Sequence, residues 1–155
     1  MIQTQFSLHD WDRLVQLPFL VLVSFRTRSG GLHPPQVRQF VKQIMRESMA
    51  SRARTTTQLF DDALNRTRKL TREVLRLNPS AVLTHVRQAV NTARRALNRE
   101  TFEDYLASIL AIQRCVADAL PLRARFARIL RRAPARSLSE AVRMELTQAL
   151  ENPSA

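Results

Sequence analysis

Glycine and cysteine are scarce in this chain of 155 residues, and each shortage narrows the classes of protein that it can belong to. Gly30 and Gly31 are the only glycines, whereas β-sandwiches and doubly wound α/β folds use glycine in many tight turns and phosphate loops. Both fold classes are therefore disfavoured. The single cysteine, Cys115, excludes a disulfide framework and a cysteine-based zinc site. Because it stands in an apolar run, it is expected to be a small buried side chain.

Lysine and acidic residues are also few, and the chain is strongly basic because of its arginines. The 25 basic residues face 13 acidic ones, which gives a net charge of +12, and only Lys42 and Lys69 are lysines. Such a charge attracts nucleic acid, anionic lipid or an acidic protein. A GC-rich genome also raises the arginine content of its proteins, so composition alone is a second explanation of the excess.

Long apolar runs are absent. The longest, Leu14 to Phe25, is interrupted by Gln16 and Pro18 and has 12 residues, which is short of the ~20 that cross a bilayer. No basic segment precedes it, and acidic residues stand where a signal peptide is apolar. The sequence therefore predicts a cytoplasmic protein.

What the chain does have is apolar spacing of helical type along most of its length, which predicts seven helices and no strand. The first starts at a capping pair, Ser7 with Asp10, and ends at the two glycines. Pro18 is expected to kink it and to leave one backbone carbonyl without its partner. The second helix opens at Pro34.

Further capping signals divide the rest of the chain. The third helix is expected over 55–77 and the fourth over 79–99. A fifth starts at Thr101 with Asp104 as its capping partner, a short basic helix covers 121–132, and a last helix begins at Ser137 or Ser139. The predicted fold class is a single-domain, all-α bundle covering 1–155, with 1–6 and 151–155 as flexible ends.

Two regions concentrate the basic charge. Residues 121–136 hold six arginines and no acid, and their apolar residues recur at helical spacing. Such a helix can lie on a membrane or follow phosphates, or it can pack its apolar side into the core with the arginines solvated. In 36–77, ten basic residues face four acids, and Arg66, Lys69 and Arg76 fall on one predicted helix face with Arg72 close by.

Catalytic signatures are missing. His9, His33 and His85 are far apart and lack the spacing of metal ligands, so each is expected to be a surface or cap residue. Asp61 and Asp62 are adjacent and point about 100° apart on a helix. No glycine-rich phosphate loop or nucleophile motif is present. The sequence therefore predicts no catalytic residue, no cofactor and no metal, although folding could still assemble a site from distant residues.

The order of motifs resembles the tellurite-resistance TerB-like helical family. The stretch DWDRLVQLPFLVLVSF, a glycine turn and QVRQFVKQI resemble its first helix pair, and YLASILAIQRCVADAL with SLSEAVRMELTQAL looks like a second copy. The likeness covers 7–44 and 105–150 and implies two related helix-turn-helix halves. Apart from apolar spacing, the residues that carry it are Trp11, Leu17, Pro18, Gly30, Ser139 and Glu140.

The chain departs from that family at its acidic, metal-binding turn. Ser29, His33 and Gln36 stand where the family has acids, and Arg26 and Arg28 make the turn positive. Hard cations need several oxygen ligands, which this turn does not offer as carboxylates. The resemblance therefore implies the fold together with a lost metal site.

The function expected from the sequence is that of a non-enzymatic TerB-like module that binds an anionic partner through an arginine-rich surface. An acidic protein is the first expectation for that partner, with nucleic acid or an anionic membrane surface as the others. A sequence-tolerant nucleic-acid binder and an enzyme with a hidden site for an anionic small molecule are the alternatives. For the enzyme, a pocket lined by His85 or Tyr105 is the feature to look for. The predicted contacts are Arg26, Arg28, Arg123, Arg125, Arg128, Arg131 and Arg132.

Overall fold

Helices account for all of the regular structure in the part of the chain that the structure describes. The computed structural model describes residues 6–27, 30–119 and 137–153, with seven helices and no strand in these ranges. The helices are α1 (Leu8–Val23), α2 (Pro34–Ala50), α3 (Arg54–Asn65), α4 (Thr67–Leu75), α5 (Pro79–Ala96), α6 (Arg99–Asp118) and α7 (Leu138–Glu151). The predicted all-α bundle is confirmed. The predicted short basic helix over 121–132 lies outside the described residues.

The first helix, α1, is the centre of the bundle. From Leu14 to Val23 every residue except Gln16 is buried, because α3, α4, α5 and α6 pack around it. The part of α1 from Leu17 to Val23 is apolar on all sides, and such a helical segment suits an interior position. On the outside of this arrangement, α2 packs against α3 and α6, and α7 packs against α5 and α6.

Pro18 lies inside α1 without ending it. Proline has no N–H, so the carbonyl four residues earlier, that of Leu14, loses its helical hydrogen bond. The hydroxyl of Tyr105 on α6 donates a hydrogen bond to this carbonyl oxygen. Burial raises the pKa of Tyr105 far above its usual value, so the hydroxyl keeps its proton. The carbonyl that the sequence left without a partner is thus satisfied by another helix.

Two of the predicted capping residues are confirmed. Ser7 Oγ accepts a hydrogen bond of 3.1 Å from the N–H of Asp10 at the start of α1. At the start of α7, Ser137 Oγ accepts one of 3.3 Å from the N–H of Glu140. Both side chains satisfy N–H groups that have no partner within the helix.

The predicted cap of α6 is wrong. The helix begins at Arg99, and the side chain of Asn98 accepts a hydrogen bond of 2.8 Å from the N–H of Thr101. Asp104, the predicted capping partner, faces the α2–α3 connection, where its carboxylate accepts from the N–H groups of Arg52 and Ala53. Asn98 is an equally good N-cap residue. Asp104 instead binds backbone N–H groups of a neighbouring connection, which the sequence alone does not indicate.

The helix predicted over 55–77 is two helices, separated at Arg66. Thr67 Oγ donates to the carbonyls of Ala63 and Leu64, at 3.2 and 2.9 Å, and so provides a donor to carbonyls at the end of α3. Leu75, the last residue of α4, lies at the surface with 36% exposure.

The sequence predicts that α1 ends at the two glycines, and this prediction is wrong. Both glycines lie several residues beyond the end of the helix. The helix ends at Val23, where Ser24 Oγ donates to the carbonyl of Val21 at 2.6 Å. Gly30 has a φ of 88°, and its N–H donates to the carbonyl of Thr27 at 2.9 Å. Its positive φ serves the turn that leads to α2, which begins at Pro34 as predicted.

No helix in the described ranges combines the length and the apolar character that a membrane crossing requires.

Candidate functional site

Of the seven arginines predicted to contact an anionic partner, the structure describes only Arg26. Its two terminal nitrogens donate to the carbonyls of Leu75 and Leu77, at 3.1 and 2.7 Å, at the end of α4. A cation at a helix C-terminus is stabilising because it faces the negative end of the helix dipole. Arg26 therefore supports α4, and its contact with a partner stays a prediction. The predicted contacts outside the described residues are Arg28, Arg123, Arg125, Arg128, Arg131 and Arg132.

A row of exposed arginines follows the outward side of α4. Arg68, Arg72 and Arg76 are four residues apart, so they lie one above the other on one helix face. Leu70 and Val74, on the opposite side, are buried against the bundle. None of the three arginines pairs with a carboxylate within the described residues. We call this row the α4 arginine face.

Many carboxylates are bound to basic residues elsewhere, which leaves the α4 arginine face without counter-charges. Most of the ion pairs join residues of different helices or lie one turn apart within one helix. The pairs in the described ranges are Asp10–Arg95, Asp12–Arg66, Asp62–Arg66, Glu73–Lys69, Glu103–Arg99 and Glu145–Arg87. Three of these pairs join different elements, Asp10–Arg95, Asp12–Arg66 and Glu145–Arg87, and arginine charge is left over at the surface.

Arg66 does not belong to the basic face on which the sequence placed it. Its guanidinium lies 2.9 Å from Asp12 and 3.1 Å from Asp62. The indole N–H of Trp11 donates to the same Asp62 oxygen at 2.8 Å. Asp61 points away and accepts from Ser48, so the two neighbouring carboxylates do not share a site, as predicted. This network joins α1 to the α3–α4 junction.

A groove of about 250 Å³ opens between α1, α4 and α5. The residues that line it are His9, Asp12, Arg13, Gln16, Arg66, Lys69, Leu70, Glu73, His85 and Gln88. Nine of these ten side chains are polar or charged, which distinguishes the groove from the apolar interior beside it.

The polar stripe of α1 forms one wall of the groove. His9, Arg13 and Gln16 are spaced by four and three residues, which places them on the same face of a helix that is otherwise largely buried. That spacing is visible in the sequence and could have indicated the groove. The other wall, with His85 and Gln88, comes from α5 and could not have been assigned without the tertiary structure.

His85 lines this groove, as expected of a hidden small-molecule site, whereas Tyr105 does not. Tyr105 is fully buried against α1. His9 joins His85 although 76 positions separate them in the chain. His33 stands apart at the N-cap position of α2, where its side chain makes no capping hydrogen bond.

Cys115 is half-buried, not fully buried as the sequence suggested. Burial nevertheless raises the pKa of its thiol, against the opposing effect of Arg46, and Asp118 adds to the rise. The thiolate, which is the reactive form, is therefore disfavoured.

Within the described ranges, no three side chains of His, Cys, Asp or Glu come together in a way that could hold a metal ion. The loss of the family's metal site stays a prediction, since it rests on a turn that includes Ser29 and Arg28. We expect calorimetry with Ca²⁺, Mg²⁺ and Zn²⁺ to detect no binding of sub-micromolar affinity, because the turn lacks carboxylate ligands. Tight, saturable heat with any one of these ions would contradict the expectation.

Comparison of the chain with protein-family models, curated proteins and solved structures finds no match. The TerB-like resemblance accordingly stays a prediction, and the functional argument depends on the α4 arginine face and on the groove.

Proposed function

We propose that this protein is a non-enzymatic helical module that binds an acidic protein through basic surface. The observation that carries the proposal is the α4 arginine face, with three exposed guanidinium groups that no described carboxylate neutralises. Arginine suits carboxylate partners because its planar guanidinium can donate two parallel hydrogen bonds to one carboxylate. TerB-like ancestry, a cytoplasmic location and the contacts of Arg26, Arg28 and the 123–132 arginines belong to the same proposal.

The distribution of aromatic residues favours a protein over single-stranded nucleic acid. Proteins that bind single strands stack bases on exposed aromatic rings. In the described part of the chain no aromatic side chain is exposed: Phe6 is half-buried against Trp11, with ring centroids 5.7 Å apart, and the others are buried. A row of arginines without stacking platforms is better matched to carboxylates on another protein.

The test is fluorescence anisotropy with four labelled probes: poly-glutamate, a DNA duplex, a DNA single strand and vesicles of phosphatidylserine with phosphatidylcholine. We expect poly-glutamate to bind most tightly at about 50 mM salt and to weaken at about 200 mM, since screening acts on exposed ion pairs. The triple variant R68Q/R72Q/R76Q should weaken poly-glutamate binding about tenfold, from the loss of three exposed ion pairs.

A matched control variant is available on α2. Arg38, Lys42 and Arg46 are also exposed, spaced by four residues and without an ion pair among the described residues. R38Q/K42Q/R46Q removes the same number of charges but only two guanidinium groups, because Lys42 has no planar fork for a carboxylate, and it should weaken binding less than about threefold. Equal weakening by both variants would mean that net charge, and not the α4 arginine face, attracts the probe.

A third variant examines the predicted contacts outside the described residues. Replacing Arg123, Arg125, Arg128, Arg131 and Arg132 by Glu should abolish binding and change the melting temperature by only a few degrees. A collapse of stability would show that these arginines are structural. Preferential, steeply salt-dependent binding of the duplex, the single strand or the vesicles would replace the acidic protein by that class of partner.

The groove is the one observation that favours a second candidate, an enzyme for an anionic small molecule. Its two imidazoles, those of His9 and His85, are groups that could transfer protons. Neither has a hydrogen-bonded partner among the described residues that would orient it. This arrangement supports binding better than catalysis.

A further inference from the structure

We propose that the groove between α1, α4 and α5 binds a small molecule with two or more negative charges, a phosphate monoester or a dicarboxylate. This inference does not depend on the α4 arginine face, because the groove is lined by different side chains.

The first argument is that five hydrogen-bonding side chains of the groove have no partner among the described residues. His9, Arg13 and Gln16 from α1, with His85 and Gln88 from α5, have no hydrogen bond or ion pair to any described residue. Side chains that line one groove and have no hydrogen-bond partner in the protein can donate to a ligand bound there. Imidazole, guanidinium and amide groups are the donors that oxyanions require.

The second argument is the sign of the charge. The two carboxylates of the groove are already held: Asp12 lies 2.9 Å from Arg66, and Glu73 lies 4.0 Å from Lys69. Arg13 has no such partner in the described ranges. The lining therefore has a positive excess, with Arg13, Arg66 and Lys69 against the two carboxylates.

The third argument is size. A volume of about 250 Å³ is below the ~300 Å³ at which pockets for drug-sized ligands begin. The groove therefore suits a ligand of a few heavy atoms and several oxygens better than a nucleotide or a peptide. Its walls belong to three helices, so the ligand would contact α1 and α5 at once.

The histidines provide a direct test by proton NMR. His9 and His85 line the groove, and His33 is outside it on α2, so the third histidine is an internal control. During titration with inorganic phosphate at constant ionic strength, the ring protons of His9 and His85 should shift and saturate together, while those of His33 do not move. Chloride at the same ionic strength should leave all three unchanged.

Two substitutions distinguish a specific anion site in the groove from general attraction of anions by the positive charge of the protein. Arg13→Gln should raise the phosphate dissociation constant about tenfold, as expected for the loss of one charge-assisted hydrogen bond. Arg114→Gln removes the same charge from an exposed position on α6 and should change it less than twofold. Shifts that stay linear in phosphate, or equal weakening by both variants, would overturn the proposal.

Parallel titrations with glycerol phosphate and with succinate identify the chemical class of the anion that the groove prefers. Tighter binding of glycerol phosphate assigns a phosphate monoester, and tighter binding of succinate assigns a dicarboxylate. If neither binds more tightly than chloride, the groove is only a solvated cleft and the proposal fails. Loss of poly-glutamate binding in R68Q/R72Q/R76Q with retained phosphate binding would show that the two sites are separate.

Discussion

Tyr105→Phe is expected to lower the free energy of unfolding by about 2 kcal/mol, although it removes a single oxygen atom. The hydroxyl donates to the carbonyl of Leu14, which Pro18 deprives of its helical partner. Without the hydroxyl, a carbonyl in the centre of the bundle is buried with no donor. The measurement is urea unfolding followed by circular dichroism, with the midpoint and slope compared between the two proteins.

A double-mutant cycle isolates this interaction. Pro18→Ala restores an N–H at position 18, which can donate to the carbonyl of Leu14. In that background Tyr105→Phe should cost less than about 1 kcal/mol, because the carbonyl keeps a partner. An equal cost of Tyr105→Phe in both backgrounds would show that its hydroxyl does not compensate for the proline.

Leu17→Ala is expected to lower the free energy of unfolding by about 3 kcal/mol, the middle of the range for a buried leucine. Leu17 has 0% exposure, and the neighbouring helices that surround α1 cannot all move to fill the cavity. For a chain of this length the melting temperature should fall by about 10 °C. Differential scanning calorimetry gives both quantities.

Leu8→Ala is the matched control for that substitution. Leu8 belongs to the same helix and loses the same atoms, but it is 79% exposed. Its replacement should change the free energy of unfolding by less than about 0.5 kcal/mol. A large effect at Leu8, or a small one at Leu17, would contradict the central position of α1.

The acidic and basic residues have different structural uses in this fold. Carboxylates such as Asp12 and Asp62 lie between helices, where they bind Arg66 and the indole of Trp11. The arginines of the α4 arginine face have no such partners in the described ranges. A basic excess can arise from genome composition. Its division into paired and exposed arginines, however, follows from the fold, and R68Q/R72Q/R76Q tests the exposed ones against the α2 control variant.

The sequence by itself determined the helical class, since apolar spacing and the shortage of glycine act through local geometry. It also determined the starts of α1, α2 and α7, because Ser7, Pro34 and Ser137 act on N–H groups within their own first turns. It even indicated that Pro18 would leave a carbonyl without a donor.

Only the tertiary structure decided which residues distant in sequence meet. In the folded chain the hydroxyl of Tyr105 donates to the carbonyl of Leu14, and the predicted third helix is divided at Arg66. The carboxylate of Asp104 binds the α2–α3 connection and does not cap its own helix. The tertiary structure also brought His9 and His85 into one groove. Helical periodicity shows which face of each helix is buried, but not which other helix covers it, so contacts between helices depend on the packing of the whole bundle.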